Sequence, residues 1–177
     1  HTLRITRDGQ SRDRLPTANF KQLQRETSLE EHVYTGLTTA AVVLDGKVHL
    51  IGGASEPAAE RASVGWHEVY DPRTDSWTPR KALPGARDHV GCVAWQGRIH
   101  VIGGRFNTFE YNTTLHHVYL PDRDTWEPRA PMPSERSGHG LVVYRNRLYA
   151  MGGEGGFIIK GVPQQARVYG QMESYDP

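Results

Sequence analysis

Residues 91–104 read GCVAWQGRIHVIGG, and the fold follows from this stretch. An apolar run from Cys92 to Trp95 meets Gln96-Gly97, and a second alternating run from Arg98 to Ile102 ends on Gly103-Gly104. Two alternating runs around a two-residue turn that contains glycine predict a β-hairpin. The string recurs twice, as AAVVLDGKVHLIGG at 40–53 and GLVVYRNRLYAMGG at 140–153. The three Gly-Gly pairs lie 51 and 49 residues apart. Trp77 and Trp126, Arg87 and Arg136, and Tyr70 and Tyr119 are each 49 apart. Tyr119 and Tyr175 are 56 apart, and the seven extra residues fall between Gly153 and Tyr175, inside one loop. Several marker types on one period near 50 define a repeat architecture.

Outward from the hairpin, each unit reads as four strands. EVYDP (68–72), HVYLP (117–121) and ESYDP (173–177) supply a third strand; SWTPR (76–80) and TWEPR (125–129) supply a fourth. Proline-rich connections, KALPGAR (81–87) and APMPSER (130–136), lead to the next unit. No 3.6-residue periodicity occurs between 37 and 177, so an all-β fold is expected, in repeats of about 37–86, 87–135 and 136–177. The third repeat stops at Pro177, before a fourth strand. Residues 1–36 carry none of the markers; QRETSLEEH (24–32) could form a short helix capped by Thr27 or Ser28, or the segment could lack order.

Composition removes several function classes. A net charge of +1 over 177 residues gives no basis for electrostatic capture of nucleic acid or an anionic membrane. One cysteine, Cys92, cannot make an intrachain disulfide or a thiolate zinc site. No apolar run reaches the 18 residues of a membrane-spanning helix. The sequence starts at His1, which leaves the compartment open.

Taken together, the Arg…Gly-Gly, Tyr-Asp-Pro, Trp and Met/Leu-Pro markers resemble the kelch family over about residues 37–177. The resemblance implies a β-propeller, each repeat forming a four-stranded blade around a central channel. The stretches 104–119 and 136–157 are similar to bacterial kelch proteins of about six blades. About three blades are therefore expected here, as part of a larger ring completed by further blades or by self-association. The first repeat departs from the pattern, with Gly36 and Thr38 where later repeats have Arg and His.

Strand alternation puts the long second-to-third loops and the fourth-to-first connections on one face, and only tight turns on the other. Loops on a rigid scaffold are the usual binding surface, so that face is the candidate site. Its expected binding residues are Arg87, His89, Arg105, Phe106, Asn107, Tyr111, Asn112, Arg136, Ser137, His139 and Glu154, with Asp88, Phe109, Phe157 and Lys160 nearby. For Arg87 and Arg136 the favoured reading is hydrogen-bonding to carbonyls of the adjacent blade, with ligand contact as the alternative. His89 and His139 are read as equivalent positions of successive blades. His116 and His117 are adjacent on a strand, so they face opposite sides and cannot share one metal. MGGEGGFIIKG (151–161) lacks the Gly-Lys-Ser/Thr of a phosphate loop and is read as a mobile or turn-rich loop. Asn112-Thr113-Thr114 forms a glycosylation sequon.

The functional expectation is a non-catalytic module recognising protein, peptide or carbohydrate, with no cofactor and no catalytic or metal-ligating residue. The resemblance also admits a galactose oxidase-like or sialic-acid epimerase-like enzyme whose remaining site residues lie outside this chain. Cys92, in an apolar strand, is expected to be an inert core residue.

Overall fold

The computed structural model describes residues 38–55, 62–108, 110–156, 158–159, 161–163 and 167–176; the helix expected near 24–32 lies outside them. The first sheet has strands β1 (Ala40–Leu44), β2 (Lys47–Ile51), β3 (His67–Asp71) and β4 (Ser76–Pro79) in simple meander order. The second repeats it with β5 (Gly91–Trp95), β6 (Arg98–Ile102), β7 (His116–Leu120) and β8 (Thr125–Pro128). The third has β9 (Gly140–Tyr144), β10 (Arg147–Met151) and β15 (Met172–Tyr175), with β15 paired to β10 alone among the described residues. All pairings are antiparallel.

The inner hairpins close as the sequence requires. Asp45-Gly46, Gln96-Gly97 and Arg145-Asn146 all have positive φ, between 46° and 75°, the type I′ conformation that matches strand twist. Gly97 has open space around an added Cβ, so Gly97→Ala tests backbone strain alone. It should lower unfolding free energy by about 1 kcal/mol in urea titration without changing the slope.

The Gly-Gly pairs work differently, because a neighbouring blade meets them. Gly53 N–H donates to the Arg87 carbonyl at 3.1 Å, and Gly104 N–H to the Arg136 carbonyl at 2.9 Å. A Cβ on Gly103, at φ 63°, would lie 2.6 Å from the Arg136 carbonyl oxygen. Backbone touches backbone at this seam, so only glycine fits.

Two apolar clusters glue the blades. Leu44, Ile51, Leu83, Ile99, Val101 and Tyr119 fill the seam between the first and second. Trp95, Ile102, Met132, Leu148 and Ala150 fill that between the second and third. Each large side chain contributes about 2 kcal/mol by burial. Tyr119 is buried there and Trp126 packs beside it. Tyr70 and Trp77 of the first blade stack on each other, 5.1 Å apart. Both are half-exposed, since no described blade precedes the first.

The seams also hold histidine pairs that no motif announced. His49 Nδ1 lies 2.9 Å from His67 Nε2, and His100 Nδ1 lies 2.9 Å from His116 Nε2, all four rings buried. Register explains the recurrence. Val48 to Ile51 pair with Tyr70 to His67, and Ile99 to Ile102 with Tyr119 to His116, so each pair shares the face that meets the next blade.

Candidate functional site

The long second-to-third loops and the proline-rich connections meet at one end of the blades. There Asp88 forms a backbone bridge with Arg105, Arg105 with Asn112, and Ser137 with Glu154. These bridges extend each sheet past its second strand and hold the loop bases rigid. Residues 151–161, expected as a mobile or turn-rich loop, instead form β11 (Glu154–Gly155) and a small hairpin of β12 (Ile158–Ile159) and β13 (Val162–Pro163). β11 pairs with β14 (Arg167–Val168). Backbone pairing took up a glycine-rich stretch that carries no strand pattern of its own.

The side chains there form one hydrogen-bonded chain across three successive blades. Its base is Asp88, wholly buried. The Ser63 hydroxyl from the first-blade loop donates to Asp88 Oδ2. His89 Nδ1 and Arg105 Nε both reach Asp88 Oδ1, the latter at 3.1 Å. Arg105 Nη2 lies 3.2 Å from His89 Nε2. A guanidinium only donates, so Nε2 accepts and the proton sits on Nδ1, directed at Asp88. Arg105 Nη1 then donates to Glu154 Oε1 of the third blade at 3.2 Å. Asn107 ties the first two loops: its side-chain oxygen accepts from Ser63 N–H, and its own N–H donates to the Ser63 hydroxyl, both at 2.7 Å.

Exposure grades along this chain, from Asp88 at 0 % through Arg105 at 14 % to Glu154 at 42 % for the side chains. The charged end is therefore the end that solvent and ligands can reach. Tyr111 lies exposed on the same loop system, and Phe106 is half-buried, with its N–H bonded to the Tyr111 carbonyl.

The remaining expected residues lie beneath this surface. Arg87 is wholly buried and donates to the carbonyls of Gly103, Pro84 and Gly85 at 2.7–3.0 Å. Burial pushes its guanidinium down to about 10. Arg136, also buried, donates to the Gly152 and Gln171 carbonyls, pairs with Glu173 at 2.9 Å and sits over the Tyr169 ring. Ser137 and His139 are buried too. Asn112 is buried, with its amide directed at the Gly156 carbonyl, so in the folded chain its sequon is not presented. Phe109, Phe157 and Lys160 lie outside the described residues.

One expectation is corrected. His89 and His139 are not equivalent: His89 sits two residues after its arginine, at φ 54°, where the third blade has Gly138 at φ 61°. His139 takes the place of Val90 and turns inward, its Nε2 filling the space where a Cβ on Gly91 would lie. A one-residue offset moved it from the loop face to the seam. His116 and His117 do face opposite ways, toward His100 and Arg87 respectively. Cys92 packs against the first seam, where desolvation pushes its thiol up to about 12. That keeps it protonated and unreactive.

Known proteins match part of this chain. Over 70 residues it is 30 % identical to spermatocyte protein spe-26 of Caenorhabditis elegans, covering 38 % of this chain and 12 % of that protein. Kelch-like protein 36 of Rattus norvegicus is 35 % identical over 63 residues, 34 % of this chain and 10 % of the relative. An F-box/kelch-repeat protein of Arabidopsis thaliana is 35 % identical over 78 residues, 43 % and 19 % respectively. The chain is a kelch-repeat protein. Its sheets are kelch blades, and a kelch-repeat domain is typically a protein-binding module. The kelch match spans no more than about a fifth of these relatives' length. No family model matches the chain.

Proposed function

We propose that the long-loop face binds a protein or peptide, with carbohydrate as the alternative ligand, and does so without catalysis. The observation that carries this reading is the Ser63–Asp88–Arg105–Glu154 chain, with His89 beside Arg105. It fixes Arg105 among side chains of three blades and reaches the surface at Glu154, whose side chain is 42 % exposed. A charged group already immobilised loses little entropy when a ligand pairs with it. Tyr111, exposed alongside, offers an amphipathic ring that suits peptide backbone or a sugar face. Arg87, Arg136, Ser137 and His139 are buried beneath this surface and support it from below.

The test begins with a displayed 12-residue peptide library and a glycan array, followed by binding measurements on variants. Tyr111→Ala, which removes an exposed ring, should weaken the selected ligand about tenfold with an unchanged melting temperature. Arg105→Ala should weaken it at least as much. Arg145→Ala, on the opposite tight-turn face, should leave binding intact. Equal binding by all three variants would sink the proposal.

A further inference from the structure

The residue after each Gly-Gly pair holds the same place in all three blades, yet the three differ in charge: Ala54, Arg105 and Glu154. Backbone pairing aligns the last two. Asp88 bridges Arg105 and Ser137 bridges Glu154, both antiparallel, and residues opposed in this way carry their side chains on one face of the sheet. In the second blade Arg105 is neutralised and capped by its own blade. Asp88 Oδ1 accepts its Nε–H at 3.1 Å, and His89 Nε2 accepts its Nη2–H at 3.2 Å.

Glu154 has neither partner in its own blade. In the place of Asp88 stands Ser137, wholly buried, with its hydroxyl bonded to no described group. In the place of His89 stands Gly138, exposed, at φ 61° and with open space around an added Cβ. Among the described residues only Arg105 bonds the Glu154 carboxylate, at Oε1 and 3.2 Å. Asp88 and Glu154 set against Arg105 leave one negative charge, because His89 is neutral when its Nε2 accepts from a guanidinium. Tyr111 flanks the same junction. Its neighbour Asn112 bridges Arg105 and directs its amide at the Gly156 carbonyl, two residues past Glu154, while the Tyr111 residue is 54 % exposed.

Resting on the reading of this face as a peptide-binding surface, we infer that the group it selects is the cationic side chain of a lysine or arginine. Gly138 leaves room for the incoming cation where the second blade places its own imidazole. Glu154, already oriented by Arg105, supplies a charge-assisted hydrogen bond to it. The exposed Tyr111 ring attracts the same charge through its face and covers the apolar stem behind it. Arg105 recruits no anion in this arrangement, since its donors are committed to Asp88, His89 and Glu154 and its side chain is 14 % exposed.

For the test, the displayed peptide library is divided into a half whose members carry Lys or Arg but no Asp or Glu, and a half of the opposite composition. Selection on the 177-residue chain should draw binders from the basic half. Glu154→Gln keeps an oxygen for Arg105 and removes the charge, and it should weaken those binders about tenfold. Its melting temperature should hold, because a partly exposed ion pair contributes little to stability. Gly138→Asn, a residue that tolerates positive φ, should fill the open space and weaken the same binders. Failure of the basic half to yield binders, or basic binders that Glu154→Gln leaves at full affinity, overturns the inference. If Tyr111→Ala or Arg105→Ala still weakens whatever was selected, the loop-face reading survives that loss. If neither variant does, that reading falls as well.

Discussion

Acidification from pH 7 to pH 5 is expected to lower the unfolding midpoint by roughly 10–20 °C, the largest effect the fold implies. Burial pushes His49, His67, His100, His116 and His139 down to about 4. The charged neighbours do less. Arg80, Lys47 and Asp45 act on His49; Arg80 and Asp124 on His67; Arg98 and Arg129 on His100; Arg129 and Arg87 on His116; Arg136 and Glu173 on His139. In the unfolded chain each histidine titrates near 6.5. Between pH 6.5 and 4 the unfolded state binds protons that the folded state refuses. Stability is therefore full above about pH 7, declines as pH falls through this window, and levels off near 4.

Taking only half of each shift leaves on the order of 5 kcal/mol lost at pH 5 across the five residues. A domain of this size holds about 5–15 kcal/mol in total. Geometry reinforces the direction, since a His–His hydrogen bond needs one bare nitrogen and double protonation sets N–H against N–H. Thermal melts at pH 7.5, 6 and 5 measure the effect. The double variant His49→Leu, His67→Phe removes one pair and should flatten the profile in proportion. A midpoint constant from pH 7 to 5 would show that the seams admit protonated rings.

Arg87→Ala should destabilise the protein by about 4 kcal/mol, with a fall in midpoint of roughly 10 °C. The side chain is wholly buried and serves three carbonyls, those of Gly103, Pro84 and Gly85, and it also meets His117. Each orphaned carbonyl costs about 1–3 kcal/mol, and the cavity adds to the loss. Partly offsetting this, the variant no longer buries a cation held by neutral groups. Arg87→Lys should recover little, because one ammonium cannot span carbonyls that a planar fork reaches together. Chemical denaturation decides it: a loss under 1 kcal/mol for Arg87→Ala would mean that water replaces the guanidinium.

The hairpins and the period were legible because they depend on neighbours in sequence. Asp45-Gly46, Gln96-Gly97 and Arg145-Asn146 adopt φ values that their turn type dictates whatever surrounds them. Alternation in VHLI and IHVI fixed which residues share a face. It could not say what that face touches, which is why His49–His67 and His100–His116 went unseen. The candidate surface was half legible. Arg105, His89, Asn107 and Glu154 come together as the loop-face reading expected, whereas Ser63 carries no motif and entered the chain only because its loop folds onto Asp88. His139 shows the opposite failure, where similar strings hid a one-residue offset.

Sequence alone thus determined the blade: strand order, turn type, the glycine pairs and the recurring arginine. Those features rest on local backbone preference and a two-residue side-chain period, both of which act over a few residues. Only the tertiary structure decided what happens between blades. There the Arg136 carbonyl lies against Gly103, buried arginines are spent on carbonyls, and imidazoles are stripped of water. Those outcomes depend on distances between residues some 50 positions apart, which no local preference encodes.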